Sequence, residues 1–319
     1  MVIKRILIVS AVVVVAAPFI SFAYTAFFEA QRADYGWDPS VPTPAYTASH
    51  PRVIVDEAHG NASTAGFASR YWPFARLLRA DGYKVQKGTS VFASGSLDAA
   101  TVLVIANASG ASRPQYFGIN LPLPGRDDQA RGAPAFTTEE VQIVRDWVEQ
   151  GGSLLLIADH APFGAAASGL ADAFGVKMHK GFVEVPNEVS DPLLFSKENG
   201  RLGDHPILLG NGPQTAISRV MTFTGQSLDG PAEASVLLRL PANAIEYVPT
   251  GRVNKFDSTQ AGGAQALALS YGKGRVVVLG EAAMLTAQVS ERKPFGMNTP
   301  GNDNAQFALN IMRWLSHAL

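Results

Sequence analysis

The chain has 319 residues, 47% of them hydrophobic and 17% charged, with 30 Gly, 20 Pro and no Cys. That is globular composition, long enough to bury a real core in one large domain or two small ones, and it excludes a disordered, collagenous or disulfide-scaffold chain. A formal net charge of −1 leaves no basic excess to neutralise phosphates, so nucleic acid is not an expected partner. Without cysteine there is no thiol nucleophile and no zinc–thiolate site. Hydroxyl, carboxylate, imidazole or metal chemistry remains, as does binding without chemistry.

Lys4 and Arg5 precede a 23-residue uncharged run, Ile6 to Phe28. It is long enough to span a bilayer, and the two bases favour a cytoplasmic N-terminus. It also reads as a cleaved signal peptide, with Ser21-Phe22-Ala23 supplying small residues at the cleavage site. Both readings imply export, either to the inner membrane with the folded part outside the cytoplasm or to the periplasm. Residues 29–50 read as a linker, since Asp38 to Tyr46 holds three prolines and is predicted extended and semi-rigid. Residues 51–319 form the folded domain.

Strands alternate with helices along that domain. Arg52–Val55 is a short buried strand running into Asp56-Glu-Ala-His-Gly-Asn61. A helix opens at Trp72-Pro73-Phe74, turns Leu77 and Leu78 inward and stops at Asp81-Gly82. Thr101–Ile105 is a second strand ending at Asn107, followed by a Pro/Gly-rich loop from Pro114 to Pro134. Thr137 and Glu140 form a capping box, Phe136 and Val141 a staple, and Val141, Val144 and Val148 the apolar stripe of the next helix. Gly151-Gly152 ends it, and the buried strand Ser153–Ile157 leads to Asp159-His160. Residues 176–260 are less regular, with strand-like pieces at Val220–Thr224 and Val236–Leu240. Gln265–Ser270 and Arg275–Leu279 read as a hairpin that runs into Glu281 and a short helix, Ala282–Gln288. Asn302–His317 is the closing helix. Continuous apolar strands joined through helices predict a three-layer α/β sandwich with a mostly parallel sheet and mixed edge strands.

The strings VDEAHGN, WVEQGGSLLLIADHAPFG, DHPILLG, YGKGRVVVLGEAAMLTAQ and GNDNAQFALNIMRWL resemble a bacterial membrane-anchored family. Its fold is similar to the class I glutamine amidotransferase domain, and the resemblance spans roughly residues 50 to 319. In amidotransferases the nucleophilic cysteine sits on a sharp turn between strand and helix. The equivalent strand here is Leu154–Ile157, and its turn holds Asp159-His160. With no cysteine and no His-Pro-Glu partner pair, the resemblance does not imply glutaminase activity.

Four strands deliver polar residues to their C-terminal ends, where open parallel sheets bind ligands. The catalytic candidates are Glu57, His59, Asp159 and His160. Asp56 or Glu57 would act as general base, an imidazole would shuttle the proton, and Asp159 would orient it. Asp56, Asn61, Asn107, Glu281, Asn302 and Asp303 are candidate ligand-binding residues. Each has a plain structural alternative: His59 as a loop brace, Asp56 and Glu57 as caps, Glu281 at a helix N-terminus, and Asn302 and Asp303 as caps of the last helix. The acids and imidazoles suit a divalent ion chemically, yet no contiguous metal motif is present and Arg70 or helix N-termini offer balancing charge. A metal-free, cofactor-free site is therefore expected. Two functions stay open: a hydrolase or lyase acting on a small polar or carbohydrate-derived substrate, and a ligand- or partner-binding domain without catalysis.

Overall fold

A computed structural model describes residues 31–67, 69–110, 115–116, 119–120, 133–188, 191–250, 252 and 255–319. The Ile6–Phe28 run and most of the Pro114–Pro134 loop lie outside the described residues.

The main sheet contains nine strands: β1 (Arg52–Asp56), β2 (Lys84–Gly88), β3 (Val102–Ala106), β4 (Ser153–Ile157), β5 (Lys177–Met178), β6 (Leu228–Asp229), β7 (Ser235–Arg239), β8 (Ala264–Tyr271) and β9 (Gly274–Leu279). Their order is β2-β1-β3-β4-β9-β8-β6-β5, with β7 also paired to β8. From β2 to β9 every pairing is parallel; beyond β9 every pairing is antiparallel. The change of sense comes from the β8–β9 hairpin, whose two-residue loop needs Gly272 at φ 57.

Helices cover both faces. On one side α1 (Trp72–Ala80) and α5 (Asn304–Leu315) pack Phe74, Leu77, Phe307 and Ile311 against Leu155 and Ile157. On the other, α2 (Thr138–Glu149) and α3 (Phe163–Asp172) pack Val144, Val148 and Leu170 against Leu154 and Leu156. Alternation along β4 thus feeds two cores, which is why its sequence reads as a continuous apolar run. Each fully buried large side chain contributes roughly 1.5–3 kcal/mol. This is the three-layer α/β sandwich with mixed edge strands expected from the sequence.

The capping box at α2 forms in both directions, with the Glu140 amide donating to Thr137 Oγ1 at 3.2 Å and the Thr137 amide to Glu140 Oε2 at 2.9 Å. The helix expected over Ala282–Gln288 does not form. A single 3-10 turn, Ala283–Leu285, gives way to a strand, Ala287–Ser290. That strand is paired on both sides, with Arg32–Ala33 and with Lys293–Gly296, and sheet pairing overrides the local helical preference.

The proline-rich stretch is extended, but it is strapped to the domain rather than free. Asp81, fully buried at the end of α1, accepts the Ala45 amide at 2.8 Å and a two-pronged contact from Arg313 of α5. Arg313 also donates to the Thr43 carbonyl, and the Tyr46 hydroxyl reaches Ser316 Oγ at 2.7 Å.

Candidate functional site

A cleft of about 420 Å³ opens over the C-terminal ends of the parallel strands. Asn61, Asn107, Asp159 and His160 line it, together with Ser63, Arg70 and Gln288 and the rings of Phe163, Phe223 and Phe295.

The turn after β4 is fixed from several sides. The Asp159 amide donates to Asn107 Oδ1 at 2.9 Å, and Asp159 Oδ1 accepts the His160 amide at 2.8 Å. Gln226 Nε2 donates to the carbonyls of Ala158 and Asp159 at 2.8 and 3.0 Å. Asn107 sits at φ 52 and Thr224, on the opposite wall, at φ 77. Positive φ is unusual for a β-branched residue, and such strain concentrates at functional sites.

His160 Nδ1 is 2.8 Å from the Ala161 carbonyl, so Nδ1 carries a proton, and Nε2 has no hydrogen-bond partner among the described residues. The ring stacks on Phe182 at 4.6 Å, which holds its plane. Burial raises the Asp159 carboxyl above its ordinary range, against the opposing fields of His160 and Arg70. Behind it, fully buried Glu281 is pushed up further, by burial and then by Asp159, although Glu281 accepts the Ala283 and Met284 amides at 2.7 Å each. Burial favours the protonated form of both acids, and the field of Asp159 adds to this at Glu281.

Several expected residues stand elsewhere. His59 does not reach the cleft: its Nδ1 lies 2.9 Å from both Asp56 oxygens and its Nε2 is 2.8 Å from Glu140 Oε1. With a carboxylate at each nitrogen and Phe92 and Phe136 on the ring, it is a buried brace that ties the loop after β1 to α2. Asp56 is committed to this brace. Glu57 accepts the Ala65 amide at 3.1 Å and faces Lys87, and it too lies off the cleft. Asp303 accepts the Ser218 hydroxyl and the Ser218 and Arg219 amides, while Asn302 accepts the Asn304 amide at the start of α5. Neither lines the cleft: Asn302 is a local tie, and Asp303 joins the start of α5 to a segment 85 residues away. Glu281 lies behind the wall rather than on it. Glu57, Glu281, Asn302 and Asp303 are taken up by backbone donors, and His59 and Asp56 by each other and by Glu140, before any of them reaches the cavity.

Sequence reasoning passed over Gln288, Gln226 and Thr224, and it offered Arg70 only as counter-charge. No periodicity marks them; Gln288 arrives through strand pairing and Arg70 through the loop before α1. Among the described residues, no three His, Cys, Asp or Glu side chains converge as metal ligands.

No family model matches the sequence, and no curated protein does. Solved structures are similar in fold. The "mmIFT52 N-terminal domain" aligns at TM-score 0.57 and 12% identity, over 83% of this chain and 97% of that one. A putative ThuA-like protein from Bacteroides uniformis aligns at TM-score 0.46 and 14% identity, over 88% and 95%. A putative GMP synthase component from Thermoplasma acidophilum aligns at TM-score 0.42 and 12% identity, over 85% and 96%. At these identities the likeness concerns the fold alone, a mixed α/β sandwich.

Proposed function

We propose that the cleft performs general acid–base chemistry, hydrolytic or eliminative, on a small polar substrate of carbohydrate-like character. The observation that carries this reading is the juxtaposition at the β4 turn. An imidazole with a fixed tautomer and an uncommitted Nε2 stands beside a carboxyl whose proton affinity is raised. His160 Nε2 would take a proton from a substrate carbon, hydroxyl or water, and a protonated Asp159 would give one to the leaving group and regain it from water entering the cleft. Three phenyl rings beside the polar groups of the lining suit the apolar faces of a sugar. The roles first assigned to Glu57 and His59 thus pass to Asp159 and His160.

Turnover of glycosides, sugar lactones and hydroxy acids, followed by proton NMR with purified protein, tests the proposal. His160→Gln is expected to lower kcat by about 10²–10⁴ with KM little changed. The non-catalytic reading is favoured by Gln288 Oε1, a buried acceptor on the lining that awaits a donor. Ligand binding without turnover, unaffected by His160→Gln, would establish that reading instead.

We also propose that this site works outside the cytoplasm, on the strength of Lys4-Arg5 and the Ile6–Phe28 run. A phosphatase that needs export, fused at the C-terminus, is expected to be active. A silent phosphatase paired with an active cytoplasm-only reporter would reverse this.

A further inference from the structure

We infer that the substrate carries a single negative charge, a carboxylate, which is seated on Arg70. This rests on the cleft being the substrate site proposed above, and it narrows the substrate class to sugar acids and related hydroxy acids.

Arg70 lines the cleft, and its guanidinium makes no hydrogen bond or close ion pair with any described residue. Its Nε is buried without an acceptor. Burial works against its charge and only the through-space field of Asp159 supports it. A buried charged donor left unmatched costs more than an ordinary lost hydrogen bond, so such groups mark an acceptor that arrives from outside the chain. The planar fork of a guanidinium matches a carboxylate in two parallel hydrogen bonds.

A second orphan sits on the same lining. Gln288 commits its Nε2 to Thr286 Oγ1 at 2.5 Å, while its Oε1 is buried with no donor. An incoming hydroxyl would satisfy it. Charge counting then selects the anion. Among the described lining residues Arg70 is the one permanent cation, and burial favours the neutral, protonated form of the Asp159 carboxyl. One negative charge then balances Arg70, whereas a phosphate dianion would leave an uncompensated charge beside Asp159. The two orphans together fit a carboxylate that carries a neighbouring hydroxyl.

The test uses the full chain and watches the Arg70 Nε–H resonance and the Asn107 and His160 amides of the same lining, which also report binding in the Arg70 variants, while acetate, acetamide or inorganic phosphate is added. Acetate is expected to give a saturable shift, and acetamide, its neutral counterpart, none. Arg70→Gln should weaken acetate binding at least about tenfold, the loss of a charge-assisted pair. Arg70→Lys, which keeps the charge and loses the fork, should weaken it less and so guards against a misfolded Gln variant. Equal responses to acetate and acetamide, or phosphate binding tenfold tighter than acetate, would overturn the inference. The two claims fail separately. Acetate binding that persists in His160→Gln, with no turnover of any sugar acid, would remove the acid–base reading and keep the carboxylate seat. Turnover of neutral sugars alone, with no acetate response, would do the opposite.

Discussion

His59→Ala is expected to destabilise the protein by about 3–5 kcal/mol, because it strands two buried carboxylates around an empty site. The Asp56 side chain is fully buried and Glu140 nearly so, and the imidazole is the cation between them. Both ring nitrogens face carboxylates, and only the doubly protonated ring satisfies both. Burial alone would lower the His59 pKa, yet the hydrogen bonds and charges of Asp56 and Glu140 hold it above 6.5. Glu140 moves the other way. Burial pushes it up, but its bonds from His59 and Thr137 hold it below 4.5. The His59 contribution is full below its unfolded value of 6.5 and is lost as pH rises through the higher folded value. The Glu140 contribution is full above 4.5 and is lost as pH falls through its lower folded value. The brace is therefore strongest between about pH 4.5 and 6.5. Urea unfolding across pH reads it directly. The gap between wild type and His59→Gln should be widest in that window and narrow on the alkaline side. A gap that widens steadily toward pH 9 would show that the ring is neutral and the brace wrongly described.

Arg313→Ala is the second large effect, again about 3–5 kcal/mol. Arg313 Nε and Nη2 meet the two oxygens of Asp81 at 2.9 and 2.6 Å, and the Asp81 side chain has no exposure. Removing the guanidinium leaves that carboxylate with the Ala45 amide alone. Arg313→Lys restores the charge without the fork, and about half of the loss should remain. The same pair anchors the proline-rich strap through Thr43 and Ala45, so protease cleavage within residues 38–46 should accelerate in both variants. Unchanged cleavage with full destabilisation would mean that the strap is held by Tyr46 and Ser316 instead.

The sandwich was legible wherever periodicity carried the signal. The apolar run of β4, the β8–β9 hairpin with its glycines and the Thr137–Glu140 box each state their own structure locally. The polar strand β2, Lys-Val-Gln-Lys-Gly, was not read as a strand, since an edge position leaves its side chains largely exposed. The stretch after Glu281 misled for the opposite reason. Its helical composition was overruled by two neighbouring strands, Arg32–Ala33 from the far end of the chain and Lys293–Gly296 from the hairpin that follows.

The site divides along the same line. Sequence by itself determined that a parallel sheet would bring Asn61, Asn107 and the Asp159-His160 turn to one end, because strand direction and strand ends are written in local pattern. It also excluded a thiol nucleophile anywhere in the chain. Only the tertiary structure decided which polar groups face the cleft and which are spent in bracing it. His59 is consumed by Glu140, which lies 81 residues away, and Glu281 by the amides that follow it. Arg70 reaches the lining from outside every quoted string, and Gln288 from the end of one in which nothing marked it as a site residue. A side chain's availability is a matter of what else lies within hydrogen-bonding reach. Three-dimensional packing fixes that, and residue type and spacing do not.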